Sequence, residues 1–236
     1  MNERPLPAKT GAAAGPVTRA LASRRSTRAF RPDPVDRDTV ARLLTAARSA
    51  PSGANLQPGR FIALTGAPLA RFTGALSAGI EAGRAPVSEY SYFPQPMPAP
   101  LKAKQRAAGY ALYDSLGVAR RDVAGRRAQF MRNYRFFDAP VGIVVTIRRD
   151  MGKGCYMDLG MALMAFMLAA RDLGLATCGI GALANYGDLA AALLELPEEE
   201  LVVCGMALGY PDTAAPVNTV RTQRDPLDEF AALYGF

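Results

Sequence analysis

Hydrophobic and polar positions alternate in short periodic blocks along most of this chain, and one block breaks the pattern. Residues 159–170 are apolar or Gly without exception, so the stretch 155–174 has no polar face. Met, Leu and Ala favour helix, and the run is too long for a typical strand, so the pattern predicts a helix that is hydrophobic all round. Asp158 is expected in its first turn, Arg171 in its last, and Gly174 as a left-handed stop. A membrane span needs about 20 apolar residues. This run is shorter and is closed by Arg171 and Asp172, which predicts a core helix covered on every side by its own domain or by a partner subunit.

Around that helix the periodicities alternate. Val17 to Ala22 reads as a short helical turn leading into the basic cluster Arg24, Arg25 and Arg28. Asp36 is placed to cap a helix with Val40, Leu43, Leu44 and Ala47 on one face, ending before Pro51. A turn-rich loop, residues 50–58, precedes a strand at 61–64, and Pro68 is expected to open a short helix carrying Leu69, Phe72 and Leu76. The β-branched run 141–147 and the run 201–208 read as strands buried on both faces, with an extended piece at 176–183 and a helix at 188–195. The tail is expected to end in an amphipathic helix bearing Leu227, Phe230, Leu233 and Tyr234. Residues 79–137 differ in texture: five prolines alternate with Tyr90, Tyr92 and Phe93, and two charged helical patterns carry Tyr110, Tyr113, Phe130 and Tyr134. They are read as an insert or lid whose aromatics pack on the core or line a pocket for a flat substrate.

Composition narrows the chemistry. The 236 residues, half of them hydrophobic, suit one large globular domain, with residues 1–16 as a flexible Pro-, Ala- and Gly-rich arm and 17–236 as the folded body. The arm lacks the features of a secretory signal, so a soluble cytoplasmic protein is expected, with no membrane association. Cys155, Cys178 and Cys204 lie far apart in apolar runs, which predicts buried structural thiols and no metal. The absence of histidine excludes Ser-His-Asp and Cys-His catalysis. The net charge of +7 is arginine-rich, but its cations read as dispersed, which favours an anionic small molecule over nucleic acid. Neither a dinucleotide fingerprint nor a P-loop occurs.

Four motifs remain, in order: Arg24-Arg25-Ser26-x-Arg28-x-Phe30; Pro51-Ser52-Gly53-x-Asn55-x-Gln57-Pro58; the long apolar helix followed by Gly174-Leu175-x-Thr177-Cys178; and Leu208-Gly209-Tyr210-Pro211 with the later Arg224-x-Pro226. Together they resemble the FMN-dependent nitroreductase family, and residues 136–142 are most similar to its nitrobenzoate reductase branch. The resemblance implies an α+β fold, a central mostly antiparallel sheet wrapped by helices, in an obligate homodimer with residues 159–170 near the interface. It implies FMN as cofactor, NAD(P)H as reductant and a nitroaromatic or quinone as acceptor, reduced by ping-pong hydride transfer. Other flavin chemistry, such as reductive dehalogenation or ene reduction, is the related alternative; a non-catalytic module binding anions or nucleic acid is the distant one.

By family position Arg24 and Arg224 would take the FMN phosphate, with Arg25 and Ser26 beside them and Arg221 standing in for a cation usual at Thr222. Arg28 would face the flavin N1 and O2 edge, and the loop of Ile180, Gly181 and Ala182 would offer a backbone N–H, that of Gly181, to N5. Pro51, Ser52, Gly53, Asn55 and Gln57 match the loop that in the family comes from the second subunit. Two departures stand out: Gly59 replaces a common Trp, and Gly181 stands where other branches often carry Glu.

Overall fold

A computed structural model describes residues 15–87 and 89–236. Most of the expected N-terminal arm, residues 1–14, lies outside the described residues. The core is a four-stranded sheet of β1 (Arg60–Thr65), β2 (Val141–Arg148), β3 (Ala176–Ile180) and β4 (Glu200–Gly209), in the order β1-β2-β4-β3 with every pairing antiparallel. The two strands predicted to bury both faces are the two central ones. Val141, Ile143, Val145 and Ile147 face one apolar layer with Leu201, Met206 and Leu208, while Val144, Val202 and Ala207 face the other. A bulge in β4 leaves Val203 between the pairs Val145–Cys204 and Thr146–Val202.

The first layer is covered by α2 (Arg37–Arg48) and α6 (Lys153–Asp172), the second by α3 (Gly66–Glu81), α7 (Gly187–Leu193) and the turn Arg132–Asp138. Asp36 caps α2 as expected, accepting from the Thr39 N–H at 2.8 Å. Helix α3 is longer than predicted, because the chain enters it through Gly66 (φ 57°) before Pro68 and continues its apolar face to Ile80. At the other end the expected tail helix is reduced to α8 (Leu227–Phe230), with Leu227, Phe230, Leu233 and Tyr234 all exposed, because no described residue buries its apolar side.

The largest correction concerns α6. The helix starts at Lys153, so Asp158 lies beyond the first turn, and instead accepts from the Gly53 N–H at 3.0 Å. Arg171 and Gly174 (φ 72°) end it as expected. It is not a core helix within one chain: only Leu159, Phe166 and Ala170 are buried, and Met157 and Met161 are 70% and 41% exposed. Among the described residues it is the one helix long and apolar enough to cross a membrane by length and composition. Cys155, packed against the rim of the first layer, is half-buried where burial was expected; Cys178 and Cys204 are buried.

The insert supplies α4 (Ala99–Ser115) and α5 (Val123–Met131), then turns back into the core through three successive left-handed residues, Phe136, Phe137 and Asp138 (φ 51°, 54° and 61°). Such a conformation is costly for residues with a side chain and persists only where the surroundings fix it. Here the fixing is steric. Phe136 lies flat on the sheet where β-carbons at Gly142 and Gly205 would come within 3.0 and 2.9 Å of its ring, so both glycines are needed to leave the slot open. Tyr134, beside it, is buried against Tyr186 at 5.2 Å, and that burial pushes its hydroxyl up to about 12.

Replacing the ring empties the slot without relieving the turn. Phe136→Ala is expected to lower unfolding free energy by about 3–5 kcal/mol, measured by denaturant titration of the purified protein. A loss below about 1 kcal/mol would mean that the ring does not hold the turn in place.

Candidate active site

The segment 24–30 runs alongside the outer edge of β3. Ser26 bridges Thr177 in parallel, and the Thr27 N–H donates to the Thr177 carbonyl at 3.0 Å. Extended backbone sends alternate side chains to opposite sides. Arg24, Ser26 and Arg28 therefore share one side, and all three act on the buried Cys178 thiol. Burial pushes that thiol up, while the Arg28 charge, a Ser26 hydrogen bond and the Arg24 charge pull it back. Neither Arg24 nor Arg28 pairs with a carboxylate among the described residues. Two unneutralised guanidiniums and a hydroxyl thus converge next to β3, whose end leads directly into the turn Gly181–Asn185. Ile180 is buried, and Gly181 and Ala182 are half-buried.

Arg25 goes elsewhere. On the other side of the segment it donates to the Asn218 carbonyl at 2.9 Å and lines a separate cavity with Arg171 and Thr27. Burial, followed by the charges of Arg221 and Arg171, lowers its pKa. Arg221 and Arg224 border a cleft against α4, where Arg224 donates to the Thr222 carbonyl and hydroxyl at 3.2 and 2.8 Å. The structure brings Arg221 into electrostatic range of Arg25, but records no contact between Arg224 and Arg24.

The second predicted loop is rigid but distant. Gln57 donates its backbone N–H to Ser52 Oγ at 2.9 Å, Gly53 is fixed by Asp158, and Ala54, Asn55 and Gln57 are left-handed. Pro51, Ser52 and Gln57 line a cavity of about 250 Å³ between α2 and α6. Gly59, where a Trp is common in the family, fits because a β-carbon there would strike Leu159 at 2.5 Å and the Thr146 carbonyl at 3.2 Å. This loop enters β1, one outer strand, whereas Ser26 lies outside β3, the other. Four strand spacings, roughly 19 Å, separate them across the sheet. They also lie at opposite ends of the strands, since Arg60 is level with Thr146 and Val202, and Thr177 with Leu208. The 51–57 loop and the Ser26 position of the basic segment therefore lie at diagonal corners of one sheet, while the 180–182 turn lies outside β3 at the end level with Ile62.

Three contributors were not anticipated. Tyr92 lays its ring over Gly181, where a β-carbon would come within 3.0 Å of the ring. Its ring lies 6.3 Å from that of Tyr90, whose hydroxyl donates to the carbonyl of the bulged Val203 at 2.6 Å. Phe137 is flanked by Arg28 and by Arg132, each guanidinium 5.9 Å from the ring centre. Asn218 is a buried clamp: its side-chain oxygen accepts from the Arg28 and Ala29 N–H groups at 2.8 and 3.3 Å, and its amide donates to the Ala29 and Asp212 carbonyls, both at 2.8 Å. Tyr92 belonged to the aromatic-rich insert read as a possible pocket lining. Asn218 carries no sequence signal beyond its place ahead of the tail arginines.

Comparison with known proteins agrees with this fold. The model of the family described as "Nitroreductase family" matches residues 21–210. A chloronitrobenzene nitroreductase of Comamonas testosteroni is 37% identical over 214 residues, 89% of this chain and 93% of that protein. A 4-nitrobenzoate reductase of Pseudomonas putida is 34% identical over 216 residues, 92% and 94% of the two chains, in keeping with the branch suggested by residues 136–142. The crystal structure of an FMN and NADPH-dependent nitroreductase, NfnB, from Sphigopyxis sp. strain HMH superposes with a TM-score of 0.90 at 41% identity, covering 93% of this chain and 99% of that one. With an all-antiparallel α+β core and the family's motifs placed along it, this chain belongs to the nitroreductase family.

Proposed function

We propose that the chain is an FMN-dependent NAD(P)H oxidoreductase of the cytoplasm that reduces nitroaromatic or quinone-like compounds, and that it works as an obligate homodimer whose two FMN sites each draw on both subunits. The observation that carries this reading is the diagonal placement of two half-sites, the 51–57 loop and the basic segment. One chain cannot close the 51–57 loop over a ligand held at Arg24, Ser26 and Arg28, but a two-fold partner can bring its own loop there. The exposed apolar side of α6, adjoining that loop through Asp158, is the surface such a partner would cover.

The residues present fit the cofactor. Unpaired Arg24 and Arg28 offer charge to a phosphate and to the anionic edge of a reduced flavin, and Ser26 offers a hydroxyl. Gly181 presents backbone with no side chain in the way, under the flat Tyr92 ring. Arg224 would join the phosphate from the tail segment, with Arg221 nearby; Arg25, committed to Asn218, would position the segment instead of touching the ligand. Bound FMN supplies two-electron hydride chemistry. Arg28 would favour the reduced form, the Gly181 N–H would orient N5, and the Tyr92 side would admit reductant and acceptor in turn. No side-chain acid or base is needed, which accommodates a chain without histidine.

Loss of one charge-assisted phosphate contact, by Arg24→Ala or Arg224→Ala, should weaken FMN roughly ten- to a hundredfold, read by fluorescence titration of the apoprotein. Unchanged affinity in both would remove the phosphate assignment. Steady-state kinetics with varied reductant and acceptor should give parallel double-reciprocal lines; intersecting lines would show that both bind together.

The composite site is tested by complementation. Arg24→Ala with Arg224→Ala disables one half-site, and Ser52→Asp with Asn55→Asp the other. After equal mixing and refolding, half the dimers are mixed and each has one intact site, so activity should recover to roughly a quarter of the wild-type value. Background activity in mixed dimers verified by mass would place each site within one chain.

A further inference from the structure

The cations that read as dispersed along the sequence are concentrated by the fold. Residues 99–131 hold seven of them against two carboxylates, Asp114 and Asp122, a net +5 where the whole chain carries +7. They are Lys102, Lys104 and Arg106 on α4, Arg120 and Arg121 in the turn, and Arg126 and Arg127 on α5. Helix α4 buries no residue, so this hairpin contributes little to the core. Lys104 is spoken for by Asp225, and Asp122 caps α5 through the Gly125 N–H.

The remaining charge is organised around two rings. Arg120 stacks on Tyr110 with its guanidinium 4.3 Å from the ring centre, and Arg126 on Tyr113 at 4.8 Å. All four line one cavity of about 470 Å³ with Ala111, Val118, Ala119 and a single carboxylate, Asp114. The hydrogen bond from Arg120, then the charges of Arg120, Arg106 and Arg126, hold the Tyr110 hydroxyl below its usual range, so the field of three arginines meets at this point. A merely solvated helix face would scatter its charges or pair them with acids at helical spacing. Flat rings beside guanidinium forks suit a purine ring bearing a phosphate.

The cavity also adjoins the proposed cofactor site. Ala111 lines both it and the neighbouring cleft in which α4 faces Arg221 and Arg224. The chain leading into α4 starts at Tyr92, over Gly181, and from Ala99 to Tyr110 the helix rises roughly 17 Å. A nucleotide with its reactive end beneath Tyr92 would extend along this helix.

We propose that the α4–α5 hairpin is the docking element for the 2′-phosphoadenosine end of NADPH, with Arg120 and Arg126 holding the 2′-phosphate beside Tyr110 and Tyr113, so that this enzyme selects NADPH over NADH. The proposal rests on the oxidoreductase reading above and adds the residues that hold the adenosine end of its reductant.

Two measurements on the FMN-loaded protein test it. The ratio of kcat/KM for NADPH to that for NADH should fall roughly ten- to a hundredfold in Arg120→Ala with Arg126→Ala, at wild-type FMN content. Because Arg126 also donates to the Arg120 carbonyl at 3.2 Å, Arg120→Ala alone is the second variant, expected to lower the ratio in a hairpin that keeps this bond. By calorimetry, 2′,5′-ADP should bind the wild type and lose at least tenfold in affinity in both variants. An unchanged ratio, or 2′,5′-ADP bound equally by wild type and variants, would overturn the proposal. A protein that oxidises neither nucleotide would instead sink the oxidoreductase reading, while the calorimetric arm would still decide the hairpin.

Discussion

A single buried amide ties the basic segment of this molecule to its tail. Asn218 satisfies four backbone groups with its side chain and a fifth partner, Arg25, with its own carbonyl. Those groups belong to segments 190 residues apart: the basic stretch that presents Arg24, Ser26 and Arg28, and the return after β4 that leads to Arg221 and Arg224. An unpaired buried N–H or C=O costs about 1–3 kcal/mol, so such a network leaves the basic stretch little freedom to slide. Its register against Thr177 then decides which side chains face Cys178. A slip of one residue would exchange Arg24, Ser26 and Arg28 for Arg25, Thr27 and either Ser23 or Ala29, leaving one arginine where there are two.

The sheet imposes a second constraint, through topology instead of bonding. Both central strands are buried on both faces, so a ligand can reach the core only at its edges and ends. The order β1-β2-β4-β3 places the two turn-rich or basic motifs outside opposite edge strands. Within one chain the two motifs therefore stay on opposite sides of the sheet. Helix α6 is divided in the same way: its own domain covers Leu159, Phe166 and Ala170 and leaves Met157 and Met161 exposed.

Local signals in the sequence were strongest where one interaction sufficed to produce the element. The cap at Asp36, the stop at Gly174, the apolar face of α3 and the doubly buried strands could all be read from short windows, because each depends on neighbours within a few residues. Failures came where distant chain decided. Asp158 read as a helix-start carboxylate but serves Gly53, more than a hundred residues away in the chain. Arg24 and Arg25 are equivalent in composition, and only the pairing of Ser26 with Thr177 sends them to different sides. The uniform apolarity of α6 announced burial without saying whether its own chain or a partner would provide it. The seven cations of the hairpin looked dispersed because 13 residues separate Arg106 from Arg120, a gap that one helical turn-back closes.

Gly181 shows how an apparent loss in sequence becomes a substitution in space. Other branches of the family often carry Glu there, so its absence suggests an emptier pocket. The space is not empty: the Tyr92 ring lies where a side chain would begin. Beside that ring is Tyr90, which takes the Val203 carbonyl that the β4 bulge turns out of the ladder. Bulge, Tyr90, Tyr92 and Gly181 thus form one steric chain from the sheet to the turn beside the basic cluster. A side chain at 181 would have to push this ring aside. The surface beside this turn is therefore a polarisable aromatic face.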